Sequence, residues 1–125
     1  MKQIISTPNA PQAIGPYSQA VEANGFVFIS GQIPINPANG QIAEGIEAQT
    51  EQVMRNIGAI LEAAGLTYAN VVKTTVLLKS IADFGTMNGI YAKYFTADCP
   101  ARAAFEVSAL PKGALIEVEV IAAKN

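Results

Sequence analysis

Ser18-Gln19-Ala20-Val21-Glu22-Ala23-Asn24-Gly25-Phe26-Val27-Phe28-Ile29-Ser30 is the stretch whose reading decides the fold of this chain. Asn24-Gly25 is the dipeptide that suits a type I′ turn, where both central residues take positive φ. A β-rich run lies on either side, Ser18 to Ala23 before it and Phe26 to Ser30 after it. The stretch predicts an antiparallel hairpin.

Working outward, Met1 to Ser6 reads as a first short strand, followed by an irregular loop marked by Pro8, Pro11 and Pro16. Proline removes a ladder donor and fixes φ, so this loop cannot continue the sheet. After the hairpin a second loop, Gly31 to Gly45, holds Pro34, Pro37 and Asn39-Gly40. Ile46 to Ala64 predicts a helix, because Ile46, Val53, Ile57, Ile60, Leu61 and Ala64 fall on one stripe. Gly65 is placed as its C-terminal stop. Val71 to Lys79 is rich in β-branched residues and predicts a central strand. Asp83 to Phe95 predicts a second helix, with Asp83 as N-cap and Phe84, Met87, Tyr91, Tyr94 and Phe95 on its apolar face. Gly85 and Gly89 weaken that helix by up to about 1 kcal/mol each, which implies close packing or close approach by something else. Arg102 to Val107 and Leu115 to Ala123 complete the strands, separated by a turn over Pro111 to Ala114. The order β, hairpin, α, β, α, β, β predicts an α+β domain spanning 1–125, its two helices on one face of a mixed sheet. Val72, Leu77, Phe28 and Ile121 would then need cover on the other face.

Composition points the same way. Of the 125 residues, 50% are apolar and 14% charged, against about 25% charged in an ordinary soluble domain. Either some surface is buried against further copies of the chain, or a monomer carries an Ala-rich, mildly apolar exterior. The net charge of −2 and the absence of a basic run provide no electropositive footprint for nucleic acid. A lone Cys99 forms no internal disulfide. The first residues are too short and too quickly polar for a signal peptide, and no apolar stretch approaches a membrane span, so a cytoplasmic location is the expectation. With no histidine, Ser-His and Cys-His pairs and HExxH zinc sites are excluded. Neither a GxGxxG nor a P-loop spacing occurs. Carboxylates, tyrosines, arginine, backbone amides and water remain as catalytic material.

Arg102 stands alone among small residues at the start of a strand, where a guanidinium fork suits bidentate capture of a carboxylate. The alternative is an ion pair with Glu106, four residues on and on the same face. Glu117 and Glu119 share one face of the last strand, opposite its apolar set. Buried, such a carboxylate has a raised pKa and serves as general acid or base; solvated, it is a surface charge. Tyr17 either lines a pocket or packs in the core. Gly31 either admits a ligand to the backbone or breaks a strand. Asn88 either donates to a ligand or points into water.

Taken together these stretches resemble a known family. Ala13-Ile14-Gly15-Pro16-Tyr17-Ser18-Gln19-Ala20, Ser30-Gly31-Gln32-Ile33-Pro34, Ala63-Ala64-Gly65-Leu66, Val72-Lys73-Thr74-Thr75-Val76, Pro100-Ala101-Arg102, Leu110-Pro111-Lys112 and Ile116-Glu117-Val118-Glu119 are similar to the Rid family, also called YjgF-like proteins. The resemblance covers nearly the whole chain in order. It implies a chorismate-mutase-like fold assembled as a homotrimer, with sheets inward and clefts between subunits. It also implies hydrolysis of reactive imines such as 2-iminobutanoate and 2-iminopropanoate to 2-keto acids and ammonia, without cofactor or metal. The imines arise from pyridoxal-phosphate-dependent dehydratases acting on threonine or serine. By motif, Arg102 would hold the substrate carboxylate and Glu117 would position or activate water. Tyr17 would line the cleft, the Gly31 backbone would approach the ligand, and Asn88 would add a polar contact. Many members read Arg-Ser-Cys-Val-Glu where this chain has Arg102-Ala103-Ala104-Phe105-Glu106, so a thiol role at Ala104 is excluded here. Two other readings stand beside the enzyme: a regulatory trimer that senses 2-keto acids, and a ribonuclease or translation inhibitor.

Overall fold

A computed structural model describes all residues, Met1–Asn125. Its strands are β1 (Gln3–Ile5), β2 (Ala20–Ala23), β3 (Phe26–Gln32), β4 (Val71–Leu78), β5 (Ala101–Glu106) and β6 (Ile116–Ala123). Two helices, α1 (Gly45–Ala63) and α2 (Phe84–Tyr94), follow β3 and β4 respectively. The strands form one sheet in the order β1-β2-β3-β6-β4-β5. Only β4 and β5 run parallel; every other pair is antiparallel. This is the predicted mixed sheet, although β3 and β6 hold its middle and β4 lies one strand from the edge.

The hairpin forms as the Asn-Gly pair requires. Asn24 has φ 52° and Gly25 φ 80°, and Ala23 pairs with Phe26 across the turn. β2 starts two residues later than predicted because the Gln19 side chain is spent elsewhere. It is buried, its Oε1 accepts from the Thr7 amide at 2.7 Å, and its Nε2 donates to the Thr7 and Pro11 carbonyls at 3.0 and 2.8 Å. One amide thus ties down the proline-marked loop. Gln49 and Asn56 do the same for the second loop. Gln49 accepts from the Leu115 amide and donates to the Ala43 carbonyl, and Asn56 donates to the Ile35 carbonyl. Buried amides are costly unless bonded, and these are bonded.

Helix α1 places Val53, Met54, Ile57, Ile60 and Leu61 against the sheet, each at most 1% exposed. It ends in a Schellman motif: Gly65, at φ 76°, donates to the Glu62 carbonyl, and Leu66 donates to that of Leu61. Helix α2 departs from expectation at its start. Asp83 has helical φ/ψ and makes no side-chain cap. A short 3₁₀ turn, Ile81–Asp83, precedes the helix, and Ser80 caps that turn by accepting from the Ala82 amide. Gly85 and Gly89 lie on the exposed face, and a methyl on either would meet nothing within the chain. Close packing within the chain therefore does not account for either glycine.

Both helices cover the sheet face that carries Val27, Ile29, Val76, Leu78, Ile116, Val118 and Val120. The other face is left open. Cross-strand pairing lines up Ile4, Val21, Phe28, Ile121 and Lys73 there in one row. Leu77, Phe105 and Glu117 form another row on the same face. Ile4, Phe26, Phe28 and Phe105 are all more than 40% exposed, so the expected uncovered apolar face is present. Val72, expected on it, sits instead at a register shift where both Val72 and Lys73 are exposed.

Candidate active site

Arg102 pairs in register with Thr74 in the β4–β5 ladder, and Thr74 pairs with Val120 on the helix side of the sheet. Its side chain therefore rises toward α2. There Nη1 donates to Asn88 Oδ1 at 2.6 Å. The guanidinium carbon lies 4.8 Å from the Tyr91 ring centroid and 5.3 Å from that of Phe84, distances at which cation–π attraction operates. Glu106 is not its partner: Glu106 accepts from the Ile81 amide at 2.9 Å. The chain's ion pair joins Lys124 and Glu22. Arg102 is thus an arginine held in place without a countercharge. A cavity of about 450 Å³ opens beside it, with Asn88, Tyr91, Cys99 and Pro100 in its wall.

A larger concavity, about 710 Å³, lies between the start of α1 and α2. Glu44, Glu47 and Glu51 line it against a single cation, Lys93, and a net negative lining repels an organic anion, so size does not mark the site.

Glu117 lies elsewhere. It pairs with Leu77 on β6, in the row that runs on to Phe105 on the open face. Its side chain is half-buried, and its carboxylate has no hydrogen-bond partner within the chain. Burial, and then the neighbouring Glu119, raise its carboxyl above the ordinary range. Gly31 makes its position possible. The β3–β6 register shifts between Ile29 and Gln32, and a methyl on Gly31 would overlap Glu117 Oε2 and come within 2.9 Å of Cδ. The strand-breaking reading of Gly31 gives way, because β3 runs through it to Gln32. Tyr17 is 54% exposed on the loop leading into β2, which excludes the core reading. Its neighbour Ser18 accepts from Ser30 Oγ at 2.6 Å, so Tyr17 sits at the Gly31 end of β3.

The predicted residues therefore fall into two groups. Arg102 and Asn88 are on the helix side at the β5 edge. Glu117 and Gly31 are on the open face, two and three strands away, or roughly 10 and 14 Å across the sheet. A small molecule bound to one chain cannot touch both. Sequence reading missed Phe84, Tyr91 and Thr74 as the support of Arg102. Helical spacing marks Phe84 and Tyr91 as core, and nothing in it says that their ring faces meet a guanidinium.

A family model described as endoribonuclease L-PSP matches residues 7–124. The human 2-iminobutanoate/2-iminopropanoate deaminase is 52% identical over 98% of this chain and 90% of its own length. A crystal structure of a Rid-family protein of unknown function from Yersinia pestis superposes with a TM-score of 0.97 at 54% identity, covering 98% of this chain and 99% of that one. The structure of TdcF from E. coli with bound serine gives a TM-score of 0.95 at 40% identity, again covering 98% and 99%.

Proposed function

The chain belongs to the endoribonuclease L-PSP family, the Rid (YjgF-like) family of the resemblance above, and from that premise we propose that it hydrolyses reactive 2-imino acids to 2-keto acids and ammonia. The substrates are 2-iminobutanoate and 2-iminopropanoate, the compounds in the human relative's name. The observation that carries the reading is the unneutralised guanidinium of Arg102, fixed by Asn88, Tyr91 and Phe84 beside a cavity. A planar fork with free donors is built for a carboxylate.

Arg102 holds the substrate carboxylate. The protonated imine carbon is already a good electrophile, so a strong nucleophile and histidine are unnecessary. Glu117 takes a proton from water as its oxygen adds to that carbon, giving a carbinolamine. The same proton passes to nitrogen, the carbon–nitrogen bond breaks, and the departing ammonia takes up the proton that the hydroxyl oxygen gives up in becoming the keto group, so that it is released as ammonium. A half-buried carboxylate with a raised pKa suits both transfers. Tyr17 lines the cleft, the Gly31 backbone approaches the ligand, and the free Asn88 amide adds a polar contact.

Because Arg102 and Glu117 occupy opposite sheet faces, the complete site lies between copies: the β5–α2 edge of one against the open face of the next. A homotrimer of chorismate-mutase-like architecture, sheets inward, satisfies this. It buries the exposed phenylalanines and gives the outward Gly85 and Gly89 something to approach. The family description names a ribonuclease, but a net charge of −2 opposes a polyanion. A trimer that merely senses 2-keto acids would need Arg102 and no raised-pKa carboxylate.

The test couples a threonine dehydratase, which generates imine, to this protein and follows keto-acid release; faster release is expected. Arg102→Ala loses charged hydrogen bonds worth about 1.5–3 kcal/mol, and Arg102→Lys does not restore a bidentate contact. Unchanged release with and without the protein removes the proposal.

A further inference from the structure

Arg102 has two aromatic neighbours, and one of them is clamped. Tyr91 is 7% exposed. Its ring packs on Phe95 with centroids 4.7 Å apart, and its hydroxyl shares a 2.8 Å hydrogen bond with Thr74 Oγ1. Thr74 is fully buried on β4 and is the residue that pairs with Arg102 across the parallel ladder. The links close into a ring: Arg102 backbone, Thr74 backbone, Thr74 hydroxyl, Tyr91 hydroxyl, Tyr91 ring face, Arg102 guanidinium. A buried hydroxyl costs free energy unless bonded, and valine would fill the same volume in an otherwise apolar core. The Thr74–Tyr91 bond gains something valine would not: it fixes the orientation of the aromatic plane on which the guanidinium rests.

We infer that Tyr91 is a positioning residue for Arg102. Its plane, locked by Thr74, orients the guanidinium so that Asn88 takes Nη1 and the remaining donors face the cavity. An arginine that leaves an edge strand unsupported samples many rotamers, and each binding event then costs the entropy of selecting one. Stacked on a fixed plane, the fork is preorganised. Burial raises the Tyr91 hydroxyl above its ordinary value, the Thr74 bond and the Arg102 charge opposing, so the hydroxyl stays protonated and the lock holds at neutral pH. Tyr91 touches Arg102 and is assigned no contact with reacting atoms. The inference rests on the proposed role of Arg102 as carboxylate clamp.

The experiment is a double-mutant cycle on the assembled protein, with 2-oxobutanoate binding measured by titration calorimetry and imine kinetics in parallel. Tyr91→Leu is expected to weaken binding about three- to thirtyfold, the range of a cation–π contact from exposed to desolvated. It should raise KM with kcat nearly unchanged, because a clamp binds substrate and transition state alike. In an Arg102→Ala background the same substitution should have no further effect. Equal weakening in both backgrounds, or none in the Arg102 background, overturns the inference while leaving the clamp intact. If Arg102→Ala itself leaves binding unchanged, the clamp reading fails and takes the inference with it. Thr74→Val keeps the ring and the packing volume, and covers the case in which Tyr91→Leu does not fold. It should shift the Arg102 Nε–H resonance, which lies in the ring currents of Tyr91 and Phe84, and weaken binding by a smaller factor. An unmoved resonance overturns the lock.

Discussion

Gly31→Ala is the perturbation that most sharply separates function from stability here. Gly31 is not at positive φ, so alanine suits its backbone. The added methyl would overlap Glu117 Oε2 and stand 2.9 Å from Cδ and 3.2 Å from Cγ, inside the 3.5–4.0 Å or so of ordinary carbon contact. The obstacle is the far end of a flexible side chain, which can rotate away. An off-rotamer displacement costs about 0.5–1.5 kcal/mol, or at most roughly 9 °C in Tm at about 3–6 °C per kcal/mol for a chain of this size. The carboxylate, however, leaves its place, and a shift of about 1 Å in a reacting group costs on the order of a hundredfold in rate. The coupled imine assay should therefore fall about a hundredfold, while 2-oxobutanoate binding, which depends mainly on Arg102, should fall far less. Activity within threefold of wild type would show that Glu117 is not the proton carrier, or that Gly31 is not what gives it room. A collapse in Tm would show instead that the bulge is structural.

Mixing supplies a second check. Arg102→Ala and Glu117→Gln are each expected to be strongly impaired at subsaturating imine, yet randomly co-assembled copies regain full activity in about a quarter of clefts if each cleft draws one group from each copy; no recovery on co-refolding refutes the shared site. Glu117→Gln should also stabilise the fold at neutral pH. Because burial, then Glu119, raises the folded-state value above 4.5, the folded chain holds that proton more tightly than the unfolded one. The group's contribution is then present below the unfolded value and lost as pH rises through the folded one. Denaturation of wild type and variant across pH 3–8 should show the variant's advantage appear over that window, and an advantage that grows toward acid would contradict the sign. Gly58→Ala, a substitution that gains about 1 kcal/mol in an ordinary helix, should here destabilise. Its methyl would strike the Tyr68 hydroxyl, which donates to the Met54 carbonyl at 2.6 Å; chemical denaturation measures it, and pairing with Tyr68→Leu should restore the ordinary gain.

Local chemistry was legible in the sequence wherever one residue type has one physical meaning. Asn24-Gly25 demands positive φ twice, Gly65 closes a helix, and the alternation from Ile116 to Ala122 assigns a buried face. What escaped was set by partners distant along the chain. Gln19 reads as a strand residue until the Thr7–Pro11 loop claims its amide. Asp83 reads as a cap until Ser80 starts a 3₁₀ turn ahead of it. Arg102, Asn88, Glu117, Gly31 and Tyr17, the proposed site, can each be singled out from sequence, but their division between two sheet faces depends on strand order. Strand order is a tertiary fact, and no spacing within 125 residues encodes it.

That order has a consequence for folding. The strand Ile116–Ala123, sixth in chain order, is the one inserted between β3 and β4. Until it docks, β1-β2-β3 and β4-β5 are two separate half-sheets, each with a raw seam of unpaired amides and carbonyls. The sheet closes on that one strand, so an intermediate lacking it is the state most open to mispairing.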